Sequence, residues 1–192
     1  GKDLLLFDSH FEIYRRRNPM HLIFRDKAIS PESYTAQLGV NRVIYENREA
    51  IFTHAPSTFT FEQFPGMSKL TGEFGFLDEA WTKSQKTAGA IFEIEQIHDD
   101  KSTTLLFSKT LRPGKNFEDR SVQSFSVAVP TIPHAKLNFS IRPAHPLDNA
   151  FNYTFWHGIK AESFSTTIAH QEGAVTSIDS DATNGFATME EE

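Results

Sequence analysis

Ala88-Gly89-Ala90-Ile91-Phe92-Glu93-Ile94-Glu95-Gln96-Ile97 carries the fold argument. From Ala90 the side chains alternate. Ala90, Phe92, Ile94 and Gln96 fall on one face, and Ile91, Glu93, Glu95 and Ile97 on the other. Successive side chains of a strand point to opposite faces, so this is the pattern of a half-buried strand. His98-Asp99-Asp100-Lys101 is a polar turn, and Thr104-Leu105-Leu106-Phe107 supplies the returning strand of a hairpin.

The same period recurs on both sides of this hairpin. Thr58-Phe59-Thr60-Phe61 alternates, and Leu70, Gly72, Phe74 and Phe76 mark one face of the next strand. Downstream, Phe125, Val127 and Val129 repeat the pattern, then Leu137, Phe139 and Ile141, and residues 155–161 supply a last strand. Pro65-Gly66, Pro113-Gly114, Pro130 with Pro133, and Pro143 with Pro146 punctuate the runs. Short strands at this spacing predict an all-β, antiparallel sandwich or barrel rather than a parallel α/β sheet. The expected core is Phe59, Phe61, Phe74, Phe92, Ile94, Phe125, Val127, Leu137, Phe139 and Ile141. No stretch keeps a 3.6-residue period over three turns, and no internal repeat is visible.

Three zones divide the 192 residues. Residues 1–50 read as an irregular N-terminal extension packed on the core, with short strands at 20–24 and 43–45. Residues 51–162 form the β-sandwich module. Residues 163–192 add one strand near 164–168 and end in an acidic tail, Met189-Glu190-Glu191-Glu192.

Composition narrows the function classes. Eighteen Phe against four Tyr and two Trp suit a Phe-filled core. A net charge of −6 argues against a nucleic-acid partner, which needs clustered Lys and Arg; Arg15-Arg16-Arg17 is too small a footprint. The absence of Cys excludes disulfides and Cys-ligated zinc. No apolar run approaches the ~20 residues of a membrane span, and Leu4-Leu5-Leu6-Phe7 is too short for a signal-peptide core. The opening Gly1-Lys2 reads as that of a processed or excised piece.

Motifs for nucleophilic, phosphate-binding, dinucleotide-binding and zinc-protease chemistry are missing, so the expectation is a non-catalytic chain. The competing enzyme reading is a glycosidase using Glu93, Glu95 or Asp119, set against a solvent-facing polar stripe for the two glutamates. Two loops are denser in chemistry. Residues 111–120 form a charged loop in which Asp119 and Arg120 either brace the loop or meet a ligand, since a guanidinium offers a planar fork of donors. Asp148, Asn149 and Asn152 supply oxygen of the kind calcium takes, making a candidate Ca²⁺ site. Trp156, at a strand start, reads as a core anchor. Trp81, in the polar stretch 78–86, reads as a flat face for stacking on a ligand.

The order of short motifs resembles the carbohydrate-binding modules called NPCBM. The motifs are His54-Ala55-Pro56-Ser57-Thr58-Phe59-Thr60-Phe61, Leu70-Thr71-Gly72-Glu73-Phe74-Gly75 and Thr87-Ala88-Gly89-Ala90-Ile91-Phe92-Glu93-Ile94. They continue with Leu106-Phe107-Ser108-Lys109-Thr110-Leu111, Asp119-Arg120 before a strand ending at Pro130, and Asn152-Tyr153-Thr154-Phe155-Trp156. The resemblance covers residues 51–162. It implies a galactose-binding-like jelly roll, an extracytoplasmic setting at the cell envelope, and recognition of a glycan. The carbohydrate-contact candidates are Trp81, Asp119, Arg120 and Tyr153. Ala88 and Asn152 stand where the family usually has Asp, which removes two carboxylates from any cation or hydroxyl contact. The alternative is a structural or protein-interaction domain of a larger surface assembly, which the Arg15–Arg17 arm favours.

Overall fold

The computed structural model describes residues 4–7 and 11–14 as backbone, and residues 20–83 and 85–164 in full. The predicted strand near 164–168, the acidic tail and the Arg15–Arg17 run lie outside the described residues.

Fourteen strands among the described residues build two sheets. In chain order they are β1 (Leu4–Phe7), β2 (Phe11–Tyr14), β3 (Leu22–Phe24), β4 (Lys27–Ile29), β5 (Ser33–Ala36), β6 (Val40–Tyr45) and β7 (Arg48–His54). There follow β8 (Ser57–Glu62), β9 (Met67–Phe76), a single helical turn α1 (Glu79–Thr82), β10 (Ala90–Ile97), β11 (Thr103–Leu111), β12 (Gln123–Ala128), β13 (Lys136–Pro143) and β14 (Tyr153–Ser163). The five-stranded sheet runs β11-β10-β13-β8-β5. The nine-stranded sheet is organised on β14, whose one edge takes β9 and whose other edge takes β7 and then β3. Every pairing is antiparallel except β14 with β3. The chain is an all-β sandwich, as its alternation predicts.

The predicted hairpin is β10–β11, paired from Ala90 opposite Leu111 to Ile97 opposite Thr103, with a one-residue register shift between Ile94 and Glu95. Ala90, Phe92, Ile94 and Gln96 all turn inward and are buried. Nine of the ten predicted core residues are buried; Val127, on β12, is half-buried because that strand pairs only with β9 at the margin of its sheet. Trp156 anchors the interior, with its ring 5.4 Å from Phe92, 5.6 Å from Phe139 and 5.8 Å from Phe74. Such tilted and edge-to-face pairs each add about 0.5–1.5 kcal/mol beyond the area they bury. Gln96 is tolerated inside because its amide donates to Gln63 Oε1 (2.6 Å) and to the Pro130 carbonyl (2.7 Å).

Within residues 20–50, Met20, Leu22 and Phe24 enter the main core, β6 pairs with β7, and β5 lies beside β8 at the edge of the smaller sheet. Among the described residues no helix is long and apolar enough to cross a membrane.

Candidate functional site

The registers place the ends of β5, β7, β9, β11 and β13 and the starts of β8, β10 and β14 together at one end of the sandwich. The loops 77–89, 112–122 and 144–152 therefore gather there. Every carbohydrate-contact candidate and every calcium candidate falls in or next to these three loops.

Loop 112–122 is internally tied. Asp119 Oδ2 accepts the Arg112 backbone N–H (2.7 Å) and the Asn116 side-chain amide (3.0 Å). A 3₁₀ turn over Glu118–Arg120 follows, and the Arg120 N–H donates to the Phe117 carbonyl. Arg120 Nε donates to the Pro113 carbonyl at 2.9 Å. That bond fixes its guanidinium 5.4 Å from the centre of the Phe117 ring, in a cation–π contact. The two outer nitrogens of Arg120 have no partner among the described residues. Phe117 itself is 79% exposed.

This loop presses on residues 86–89. A Cβ on Gly114 would stand 2.8 Å from the Thr87 carbonyl, and one on Gly89 only 2.4 Å from the Leu111 carbonyl. The Thr87 hydroxyl accepts the Gly89 N–H and donates to Asn152 Oδ1, joining loop 77–89 to loop 144–152. Asn152 is fully buried, and its Nδ2 has no partner among the described residues.

The calcium candidates face three different partners. Asn152 Oδ1 is engaged by Thr87, Asp148 Oδ1 accepts the Ala150 N–H (3.1 Å), and Asn149 Nδ2 donates to Gln37 (2.8 Å). Asp148 Oδ2 and Asn149 Oδ1 are the side-chain oxygens left open among the described residues. No three His, Cys, Asp or Glu side chains gather into a metal-holding group among the described residues.

Trp81 rides on α1, half-buried against the main core, while Ala80 beside it is fully buried. Tyr153 is also half-buried. Its ring lies 6.0 Å from His54 and 6.1 Å from Phe52, with the Lys83 ammonium 5.9 Å from its centre. The aromatic ring that faces solvent at this end is Phe117, which the sequence reading passed over. Its signal was an aromatic between Asn116 and Glu118 in a charged loop with no strand alternation.

Glu93 and Glu95 lie elsewhere, on the outer face of the five-stranded sheet, in a groove of about 610 Å³. Arg142 clamps Glu93 through Nε (2.8 Å) and Nη2 (2.9 Å), and the Ser108 hydroxyl adds a third bond. The Arg142 guanidinium holds the Glu93 carboxyl below the usual carboxylate range. Glu95 receives the Asn138 amide at 3.4 Å.

The sequence matches no protein-family model and none of the curated proteins. Solved structures do match. The CBM51-2 and INT domains of Clostridium perfringens ZmpB superpose with a TM-score of 0.53 at 14% identity, over 80% of this chain and 37% of that one. The same domains in complex with GlcNAc give 0.52 at 15% identity, over 70% and 30%. The CBM51 of Clostridium perfringens GH95, in complex with methyl-galactose, gives 0.50 at 13% identity, over 70% of this chain and 95% of that one.

The chain has the fold of a carbohydrate-binding module. In this fold one end of the sandwich gathers the three loops, and that end carries the tied Arg120–Phe117 pair. The chain spans less than two fifths of the two ZmpB structures, 37% and 30% of their lengths.

Proposed function

We propose that this chain is a non-catalytic module that recognises a cell-envelope glycan, outside the cytoplasm, with its three-loop end. One observation carries the reading: an exposed Phe117 ring beside a guanidinium whose position is fixed by the Pro113 carbonyl and whose outer nitrogens are free. A sugar offers an apolar C–H face and a rim of hydroxyls. An aromatic ring and a planar fork of donors meet both needs. Held on a tied loop, the pair is largely pre-organised, so binding loses little conformational entropy. The similarity in fold to modules solved with GlcNAc and with methyl-galactose supports the reading. Trp81 and Tyr153, both half-buried, serve as the floor beneath the loops, and Asp119 serves as the tie that sets Arg120.

A glycan array followed by calorimetry on the best binder tests this. Phe117→Ala is expected to weaken binding about tenfold, ~1.4 kcal/mol, with an unchanged melting temperature. Trp81→Ala, measured in parallel, is expected to lower the melting temperature as well as the affinity. Equal binding by wild type and Phe117→Ala would refute the assignment. The second reading, a protein-interaction domain, draws on Leu147, 93% exposed in the loop 144–152. A stable protein complex lost on Leu147→Ser, with no glycan bound, would favour it.

A further inference from the structure

We infer that the glycan taken by this end is an acidic one, a saccharide bearing a carboxylate or sulfate; the inference rests on the reading above. The chain as a whole carries −6. The three loops at this end also hold five carboxylates, Asp78, Glu79, Glu118, Asp119 and Asp148, but every cation among them lies on residues 83–89 and 112–120, which reverse the sign locally. These two stretches hold five cations, Lys83, Lys86, Arg112, Lys115 and Arg120, against two carboxylates, Glu118 and Asp119. Asp119 is already engaged by the Arg112 N–H and Asn116.

The packing brings these cations together. The Arg112 stem lies where a Cβ on Gly89 would fall, 2.8 Å away, and the Lys86 stem lies 3.1 Å from the same point on Gly114. Arg120 is tethered to Pro113 in the same loop, and Lys83 stands over Tyr153. None of the five has an ion-pair partner among the described residues. Elsewhere five of the ten described lysines and arginines pair, Arg42 with Glu49, Arg48 with Glu46, Lys69 with Glu162, Lys136 with Glu32, and Arg142 with Glu93; the other five are spread singly or in pairs over the surface and not gathered on contacting loops. Unpaired like charges on contacting loops raise the local potential and draw an anion to that end. The Arg120 fork fits a carboxylate or sulfate through two parallel N–H bonds. Phe117 beside it covers the ring that carries the acidic group. A bare anion would use the fork alone, so the aromatic makes the site a sugar-acid site rather than a general anion site.

The test is calorimetry on the full chain at 50 mM and 300 mM NaCl. The probes are an oligogalacturonate hexamer, a chondroitin sulfate hexasaccharide, a neutral galactan hexamer, inorganic sulfate and a single-stranded DNA hexamer. At least one acidic hexasaccharide is expected to bind about tenfold or more tighter than the neutral one, and to weaken several-fold in the higher salt. Arg120→Gln is expected to remove most of that preference. Lys86→Gln with Lys115→Gln, two exposed positions, is expected to lower it about threefold or more without affecting the fold. Neutral galactan binding as tightly, with no salt dependence, would overturn the inference and leave the glycan reading standing. Sulfate or DNA binding as tightly as the acidic sugars would overturn it as well. No binding to any saccharide would overturn both.

Discussion

Gly89 and Gly39 share a backbone feature and differ in surroundings, which allows a controlled test of how the site loops are held. Both have positive φ, +104° at Gly89 and +85° at Gly39, a region that strains any residue with a Cβ. Around Gly39 there is nothing within 4 Å of an added Cβ. Around Gly89 the Leu111 carbonyl stands at 2.4 Å and the Arg112 Cα at 3.2 Å, both backbone atoms that cannot rotate away. Gly39→Ala should therefore cost about 1 kcal/mol from conformation alone. Gly89→Ala adds an overpacking term of roughly 1–3 kcal/mol, for a total of about 2–4 kcal/mol. In a domain of this size 1 kcal/mol moves the melting temperature by about 2–4 °C. The expected losses are then about 2–4 °C for Gly39→Ala and about 5–15 °C for Gly89→Ala, read by circular dichroism and by urea titration. Because the displaced strand end carries Arg112, whose N–H ties Asp119, Gly89→Ala should also weaken glycan binding while Gly39→Ala does not. Equal losses in the two variants would refute the claim that loops 86–89 and 112–122 are in hard contact.

Two further outcomes follow from the polar groups. Glu93→Gln removes the clamp by Arg142 and should cost up to about 1 kcal/mol at neutral pH, since the pair lies on an open sheet face. The Glu93 carboxyl is depressed, chiefly by its hydrogen bond from Arg142, so its stabilisation is complete above the ordinary carboxylate value, ~4.3, and disappears as pH falls through the depressed one. The melting curves of wild type and Glu93→Gln should thus converge as pH falls below the ordinary carboxylate value and through the depressed one; curves that stay parallel from neutral pH into strong acid would contradict the linkage. Calcium and a chelator should each move the melting temperature by less than about 1 °C, because Asp148 is the one carboxylate of its set and calcium takes about six to eight oxygens. A calcium-induced rise that is lost in Asp148→Ala would reverse that expectation.

The fold was legible where strands are long and one face is buried. β10 spans eight residues and keeps strict alternation, so its pleat alone sorted Phe92 and Ile94 inward and Glu93 and Glu95 outward. Trp156 was readable as a core anchor because it follows Phe155 in a strand whose outward residues also find cover, Phe155 packing with Val43, Ala50 and Leu77. Shorter elements gave less. β3 and β4 have three residues each, too few for a period of two to be distinguished from chance. The parallel pairing of β3 with β14 joins residues about 137 apart in sequence, Ile23 to Lys160, and no local pattern encodes it. α1 is one turn of four residues, too short for helical periodicity, so Trp81 read as a loop residue when Ala80 beside it plugs the core.

Charge marked the proposed site in the sequence and hydrophobicity concealed part of it. Asp119 and Arg120 stood out in a turn-bounded loop, and the structure gives each a defined role there. Phe117, two residues away, was absorbed into the count of eighteen phenylalanines, most of which fill the interior. A lone exposed apolar side chain is ordinary on a protein surface and by itself argues nothing. Burying a Phe is worth roughly 1.5–3 kcal/mol, so a ring left 79% exposed keeps most of that in reserve. What separates Phe117 from an ordinary exposed ring is the guanidinium anchored beside it. Arg120 cannot swing off to solvent while Pro113 holds its Nε, so ring and fork present a fixed pair of surfaces, one apolar and one ionic. A ligand that covers both recovers the reserve of the ring and satisfies the free nitrogens in a single contact. That coupling predicts a double-variant loss smaller than the sum of the two single losses when Phe117 and Arg120 are removed singly and then together, the signature of two groups that read one ligand.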